Sequence, residues 1–215
     1  MSKRSCTILF VIFLLCSSAF SQPPRFVSTK GTHRVAPDGK PILLRGINLG
    51  NWLVPEGYMI KFRNTNSPRL INSTFTELLG PAETKIFWEK YRDNFITKED
   101  IAFIKKAGLN SIRVPFNYRL FVSEDQLLKF DGPGMEMLDR VVKWCKEEHL
   151  FVILDMHCAP GGQTGDNIDD VKRAWVVTKG SMRFWLGLRR ETWRRSGRKH
   201  YNSAFSIFEI ISPRS

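Results

Sequence analysis

The chain has 215 residues and a formal net charge of +12. Residues 171–215 hold 11 Lys+Arg against 2 Asp+Glu and so supply +9 of that charge, which leaves the preceding body close to neutral and excludes it as a nucleic-acid binder. Of four cysteines, only Cys145 and Cys158 follow the N-terminal leader, and their spacing excludes a cysteine-based metal site.

The leader comes first. Lys3 and Arg4 precede an apolar run from Ile8 to Cys16, and Ala19 and Ser21 set a cut before Gln22. This is the pattern of a signal peptide over residues 1–21, too short to span a bilayer, so the expected location is secreted or periplasmic. Leu15 before Cys16 argues against a lipoprotein anchor, and no other membrane anchor is expected. Asn72-Ser73-Thr74 is a glycosylation sequon for a eukaryotic secretory route.

Residues 22–170 suffice for one small domain. Asp38-Gly39 reads as a turn between extended runs, leading to a buried strand at about 42–47. The aromatic and polar loop "NLGNWLVPEGYM" follows. Helical spacing covers 76–93 and 97–107, with Thr97 and Asp100 as an N-terminal capping signal and Gly108 as the stop. "LNSIRVPF" reads as a second strand. An amphipathic helix over 134–148 then presents Met135, Leu138, Val141, Val142 and Cys145 on one face. "LFVILDM" is the third strand, continuously apolar as parallel strands covered on both faces are. With Cys145 on a helix and Cys158 at a strand end, the expectation is two free, buried thiols in preference to a disulfide.

Alternating strands and helices with right-handed crossovers are α/β architecture, and periodicity alone does not separate an open sheet from a barrel. The polar residues favour the barrel, because each strand ends in them: Asn48 and Trp52 after the first, Arg113 and Asn117 at the second, His157 at the third. In (β/α)8 barrels those ends form the active face.

"LRGINLGNW", "GLNSIRVPFNY" and "VILDMHCAPGGQTGDN", in this order, resemble the N-terminal part of glycoside hydrolase family 5, the cellulase-like group of secreted (β/α)8 glycosidases, especially its β-1,3-glucanase branch. The resemblance covers about residues 33–170. It implies the first three strand-helix units of a TIM barrel and a retaining hydrolase of O-glycosyl bonds in β-glucans or related oligosaccharides, monomeric if folded, with no metal or organic cofactor. It also implies a role for Arg113 in holding the catalytic nucleophile ionised, since a fixed guanidinium lowers a neighbouring carboxylate's pKa; the alternative is a structural ion pair. His157 matches a histidine that binds a sugar hydroxyl, or is satisfied within the core. Asn48 either touches substrate or holds the first turn. Trp52 either offers a ring face to a sugar or packs. Glu56 resembles a loop carboxylate that accepts hydrogen bonds from sugar hydroxyls, against an exposed, solvated Glu. Asp155 lies two residues from His157 and so shares its face, where it can orient the ring, or it contacts the helix layer.

Both catalytic glutamates of the resemblance are missing. Retaining enzymes need two carboxyl groups about 5 to 5.5 Å apart, in this family one in Asn-Glu-Pro at strand four and one at strand seven. The late glutamates here are Glu191 in "RRETWRR" and Glu209 in "SIFEIIS", and neither carries that motif. The chain is therefore expected to be inactive as written. After Asp170 the sequence departs from the pattern: residues 171–215 interleave aromatics with eight arginines and read as a frame-shifted or aberrant segment. The alternative is a secreted, non-catalytic carbohydrate- or polyanion-binding protein using the barrel remnant or this basic tail. Three strands of an unclosed barrel are expected to leave unpaired edges and invite aggregation.

Overall fold

A computed structural model describes residues 26–123, 126, 128–160 and 208–211. The signal peptide expected over 1–21 and, apart from 208–211, the frame-shifted or aberrant segment expected over 171–215 lie outside the described residues. The elements are β1 (Ser28–Lys30), β2 (His33–Val35), β3 (Gly46–Asn48), α1 (Pro68–Leu79), α2 (Pro81–Phe95), α3 (Lys98–Lys106), β4 (Ser111–Asn117), α4 (Gly134–Glu147), β5 (Phe151–Cys158) and β6 (Phe208–Ile211).

β1 and β2 form a small antiparallel hairpin, and the main sheet runs β3-β4-β5-β6. β3, β4 and β5 are mutually parallel, with helices in each crossover. This is α/β architecture, the first three strand-helix units of a (β/α)8 barrel, with the ring unclosed among the described residues. Ile112, Val114 and Phe116 of β4 and Val152, Leu154 and Met156 of β5 alternate onto one face, where they join Ile101 and Ile104 of α3 and Met135, Leu138, Val141 and Cys145 of α4 in a single core. Full burial of each such side chain contributes about 1.5 to 3 kcal/mol.

Helix ends follow from local chemistry. Ser67 caps α1 by accepting from the Leu70 amide at 3.3 Å, and Pro68 stands in the first turn, where its missing donor costs nothing. Gly80 at φ 79° and Pro81 break what helical spacing predicts as one helix over 76–93 into α1 and α2, because a residue before proline avoids helical backbone and glycine takes the left-handed turn. Asp100 accepts from the Thr97 amide at 2.8 Å at the start of α3, and Gly108 at φ 83° ends the turn after it, as the sequence predicts. α4 ends one residue before its predicted limit.

The Asp38-Gly39 turn is present, with Gly39 donating to the Ala36 carbonyl at 2.8 Å and an isolated bridge joining Val35 and Pro41. The strand expected at 42–47 is shorter, starting only at Gly46. Asn110 takes over the preceding stretch: its carbonyl oxygen accepts from the Arg45 amide at 2.7 Å and its amide donates to the Leu43 carbonyl at 2.8 Å. A side chain there replaces ladder bonds. At Gly46 a Cβ would collide with the Ser111 carbonyl, so close approach of β3 to β4 requires glycine.

One expectation needs correction. The third strand does not present an unpaired edge, because β6 pairs antiparallel with it from Val152↔Ile211 to Asp155↔Phe208. Neither Cys145 nor Cys158 is in a disulfide, both are buried, and burial pushes the Cys145 thiol up to about 12. Among the described residues no helix is long and apolar enough to cross a membrane.

Candidate functional site

The face of the sheet turned away from α3 and α4 carries the polar residues. Asn48 is in register with Arg113, and Arg113 with Ile153, so these three share a face that period-two alternation extends to Asp155 and His157. Asn48 is exposed there. Arg113, Asp155 and His157 converge: an Arg113 Nη2 donates to Asp155 Oδ2, and His157 Nδ1 lies 3.1 Å from that guanidinium nitrogen and 3.2 Å from the same carboxylate oxygen. The Asp155 side chain is 5% exposed, against 28% for Arg113, so the cluster is anchored at the carboxylate and open at the guanidinium.

The imidazole has two ways to fit. With a proton on Nδ1 it donates to Asp155 and leaves Nε2 as an acceptor. With the proton on Nε2, Nδ1 accepts from Arg113 and Nε2 becomes a donor. In either tautomer Nε2 is engaged by neither Arg113 nor Asp155 and is able to address a ligand hydroxyl. Asp155 thus shares a hydrogen-bonding cluster with His157 instead of reaching the helix layer, and the carboxylate held by Arg113 among the described residues is Asp155.

The loop after β3 is fixed separately. Leu49 donates to the Arg113 carbonyl at 2.9 Å, and Leu53 bridges to Phe116 in parallel sense. Asn51 sits at φ 62°, a left-handed conformation that asparagine tolerates. Its carbonyl side-chain oxygen accepts from the Glu56 amide at 2.9 Å, its amide donates to Tyr91 Oη at 3.1 Å, and Tyr91 donates back to the Asn51 backbone carbonyl at 2.6 Å. Desolvation raises the Tyr91 phenol from 10.0 to about 12.

At two residues the burial bears on alternatives that the sequence leaves open. Trp52 is 1% exposed, with its indole N–H donating to the Arg92 carbonyl at 2.8 Å, so its ring presents no open platform for a sugar. Glu56 is 9% exposed and not a solvated surface carboxylate, because the Asn51 turn draws the loop inward. Asn117 is buried, and its side-chain oxygen accepts from the Arg119 amide at 3.0 Å, capping a short 3-10 turn. Sequence reasoning passed over Asn51 and Tyr91; the available signal was an asparagine between Gly50 and Trp52 in a loop too compact for ordinary backbone. Among the described residues no group of three or more His, Cys, Asp and Glu side chains is placed to hold a metal.

Comparison with known proteins places this geometry in context. Residues 71–187 match the family model described as cellulase, glycosyl hydrolase family 5. A β-xylosidase of Phanerodontia chrysosporium is 34% identical over 141 residues, covering 66% of this chain and 29% of the relative. A glucan 1,3-beta-glucosidase of Lachancea kluyveri is 31% identical over 188 residues, covering 78% of this chain and 43% of the relative. The chain thus spans less than half the length of these relatives. In fold it resembles the crystal structure of AoRut (TM-score 0.60, 16% identity, 82% of this chain and 47% of that one) and that of rutinosidase from Aspergillus niger (TM-score 0.57, 18% identity, 70% and 43%).

Proposed function

Because the chain belongs to glycosyl hydrolase family 5, we propose that its polar sheet face is the sugar-binding part of a glycosidase acting on β-glucans or related oligosaccharides, exported through residues 1–21, and that the 215-residue chain binds without hydrolysing. The observation that carries this reading is the Arg113–Asp155–His157 cluster, on the face and at the strand ends where barrel enzymes work. Nε2 of His157 supplies a hydrogen bond to a sugar hydroxyl, Arg113 and Asp155 hold the ring in place, and exposed Asn48 adds a second polar contact on the same face.

Hydrolysis needs more. A retaining mechanism requires an acid and a nucleophile about 5 to 5.5 Å apart. On this face the described residues offer Asp155, which is committed to Arg113 and His157. Glycosidases lower their barriers by something toward the upper end of about 8 to 23 kcal/mol, while a hydroxyl contact contributes about 1 kcal/mol net. A few such contacts do not replace a carboxyl pair.

The test has two arms. Incubation with β-1,3- and β-1,4-glucans should release reducing sugar no faster than a heat-inactivated control, and brisk release overturns the non-catalytic part. Calorimetric titration with short β-1,3-gluco-oligosaccharides should show binding that His157→Ala weakens about fivefold, in line with loss of a hydrogen bond contributing about 1 kcal/mol. No binding, or binding indifferent to His157, overturns the site. N-terminal sequencing of exported protein should begin at Gln22.

A further inference from the structure

Asn72-Ser73-Thr74 is the one Asn-x-Ser/Thr triplet of the chain, and the fold places it in the second turn of α1. α1 is docked by Ile71, which is fully buried, and by Phe75, whose ring stacks on Phe87 of α2 with centres 4.4 Å apart. Asn72 itself is exposed, and no hydrogen bond among the described residues engages its carboxamide. A bulky hydrophilic group on its Nδ2 is therefore carried by the folded chain without breaking an internal hydrogen bond.

The same helix hides the triplet from an enzyme that has to read it. Helical residues two apart point about 200° away from each other, so Asn72 and Thr74 lie on different sides of α1. Thr74 Oγ1 is moreover engaged, donating to the Leu70 carbonyl at 3.0 Å, and the Asn72 carbonyl accepts from Thr76 Oγ1 at 2.8 Å. An extended chain instead brings residues two apart onto one side, where a single active site can address the amide and the hydroxyl together. A helix of 12 residues is marginal by itself, so α1 persists only once Ile71 and Phe75 are packed. That interval is the window for modification.

We propose that Asn72 carries an N-linked glycan, attached while residues 68–79 are still unfolded, so that transfer competes with formation of α1 and ends when α1 forms. The proposal rests on export through residues 1–21, because the donor, an oligosaccharide linked to a lipid diphosphate, is met along a eukaryotic secretory route. In the transfer, Asn72 Nδ2 bonds to the anomeric carbon of the first sugar and the bond from that carbon to the diphosphate oxygen breaks. The lipid diphosphate leaves with the electron pair of that bond, and one amide proton passes to a base of the transferase. In the folded chain the first sugars shield Leu79, which is 47% exposed and stands about 10 Å further along the same face of the helix.

The experiment translates the full chain in the presence of microsomes, once with its own leader and once with residues 1–21 replaced by a secretion leader of established function. Cleavage before Gln22 reports export, and a mobility step removed by endoglycosidase reports the glycan. One such step is expected, lost in Asn72→Gln and Thr74→Ala and kept in Thr74→Ser. A chain left uncleaved with its own leader but stepped behind the other overturns the export reading alone. A translocated chain without the step, or a step that survives Asn72→Gln, overturns the glycan. The order of events is read separately with detergent-solubilised microsomes. A peptide of residues 66–79, too short to hold a helix alone, should accept the glycan. The purified unmodified chain, recognised as folded by a Cys145 that resists labelling, should accept at least about tenfold less, because α1 must first open. A peptide left unmodified, or a folded chain modified as readily as the peptide, overturns the claim that α1 closes the site.

Discussion

On one side of the β3-β4-β5 sheet, Ile112, Val114, Phe116, Val152 and Met156 are sealed against α3 and α4; on the other, one residue away along the same strands, Arg113 and His157 remain about a quarter exposed. The sealed side is held by area and fit, which are non-directional, so its members are replaceable by side chains of like volume. The polar side is held by one carboxylate that two other groups address, so its members depend on hydrogen-bonding geometry and charge and not on volume. The same backbone alternation thus builds a tolerant surface and an intolerant one.

The largest effect should come from the sealed side. Phe116→Ala removes a fully buried ring and should cost about 3 to 5 kcal/mol in denaturant unfolding. A loss under 1 kcal/mol would mean that this side is not the stabilising one. Asp155→Ala is the matching test on the polar side. It strands the Arg113 guanidinium, and because that group is partly exposed the cost should be about 1 to 3 kcal/mol, below the range for fully buried pairs. Asp155→Asn should retain more stability yet lose as much oligosaccharide affinity, separating architecture from recognition.

A smaller effect is expected where the loop is tied to α2. Tyr91→Phe deletes the donor to the Asn51 carbonyl and should cost about 1 kcal/mol. The phenol's raised pKa gives this a pH signature: an acid harder to ionise when folded stabilises fully below 10.0, and that contribution is lost as pH climbs toward about 12. Tyr91→Phe should flatten that alkaline arm, and an unchanged arm would place the ionisation elsewhere. The least perturbing measurement is thiol labelling at pH 8. Cys145, raised to about 12 and buried, should not react until the chain unfolds, and native-state labelling of Cys145 would show that the sealed side opens.

Much of the sealed side was legible beforehand because alternation and helical spacing are local. The run of Met135, Leu138, Val141 and Cys145 announced α4 to within a residue, and the apolar stretch from Leu150 announced β5. On the polar side, period two puts Asp155 and His157 on a shared face, which the Nδ1–Oδ2 contact between them reflects. What escaped depended on partners distant in sequence. The Asn51–Tyr91 clasp joins residues 40 apart, and Trp52 became a buried donor only because the Arg92 carbonyl waits at the same separation. α1 was hidden for a different reason: its limits are set by Ser67 and Gly80-Pro81, single-residue punctuation that an apolar count runs across. β6 lies within "SIFEIIS", and nothing in its four residues specifies β5 as its neighbour.

The direction of β6 carries a consequence for assembly. The flank of β5 on which a barrel would lay its next parallel strand is taken by a segment running the opposite way, so docking of the tail and growth of the sheet draw on one row of amides and exclude each other. Any polypeptide supplied in trans to extend the ring would have to evict Phe208–Ile211 first, and the tether gives the resident the advantage of high local concentration. The short run thus acts as a stopper on the β5 side of the sheet.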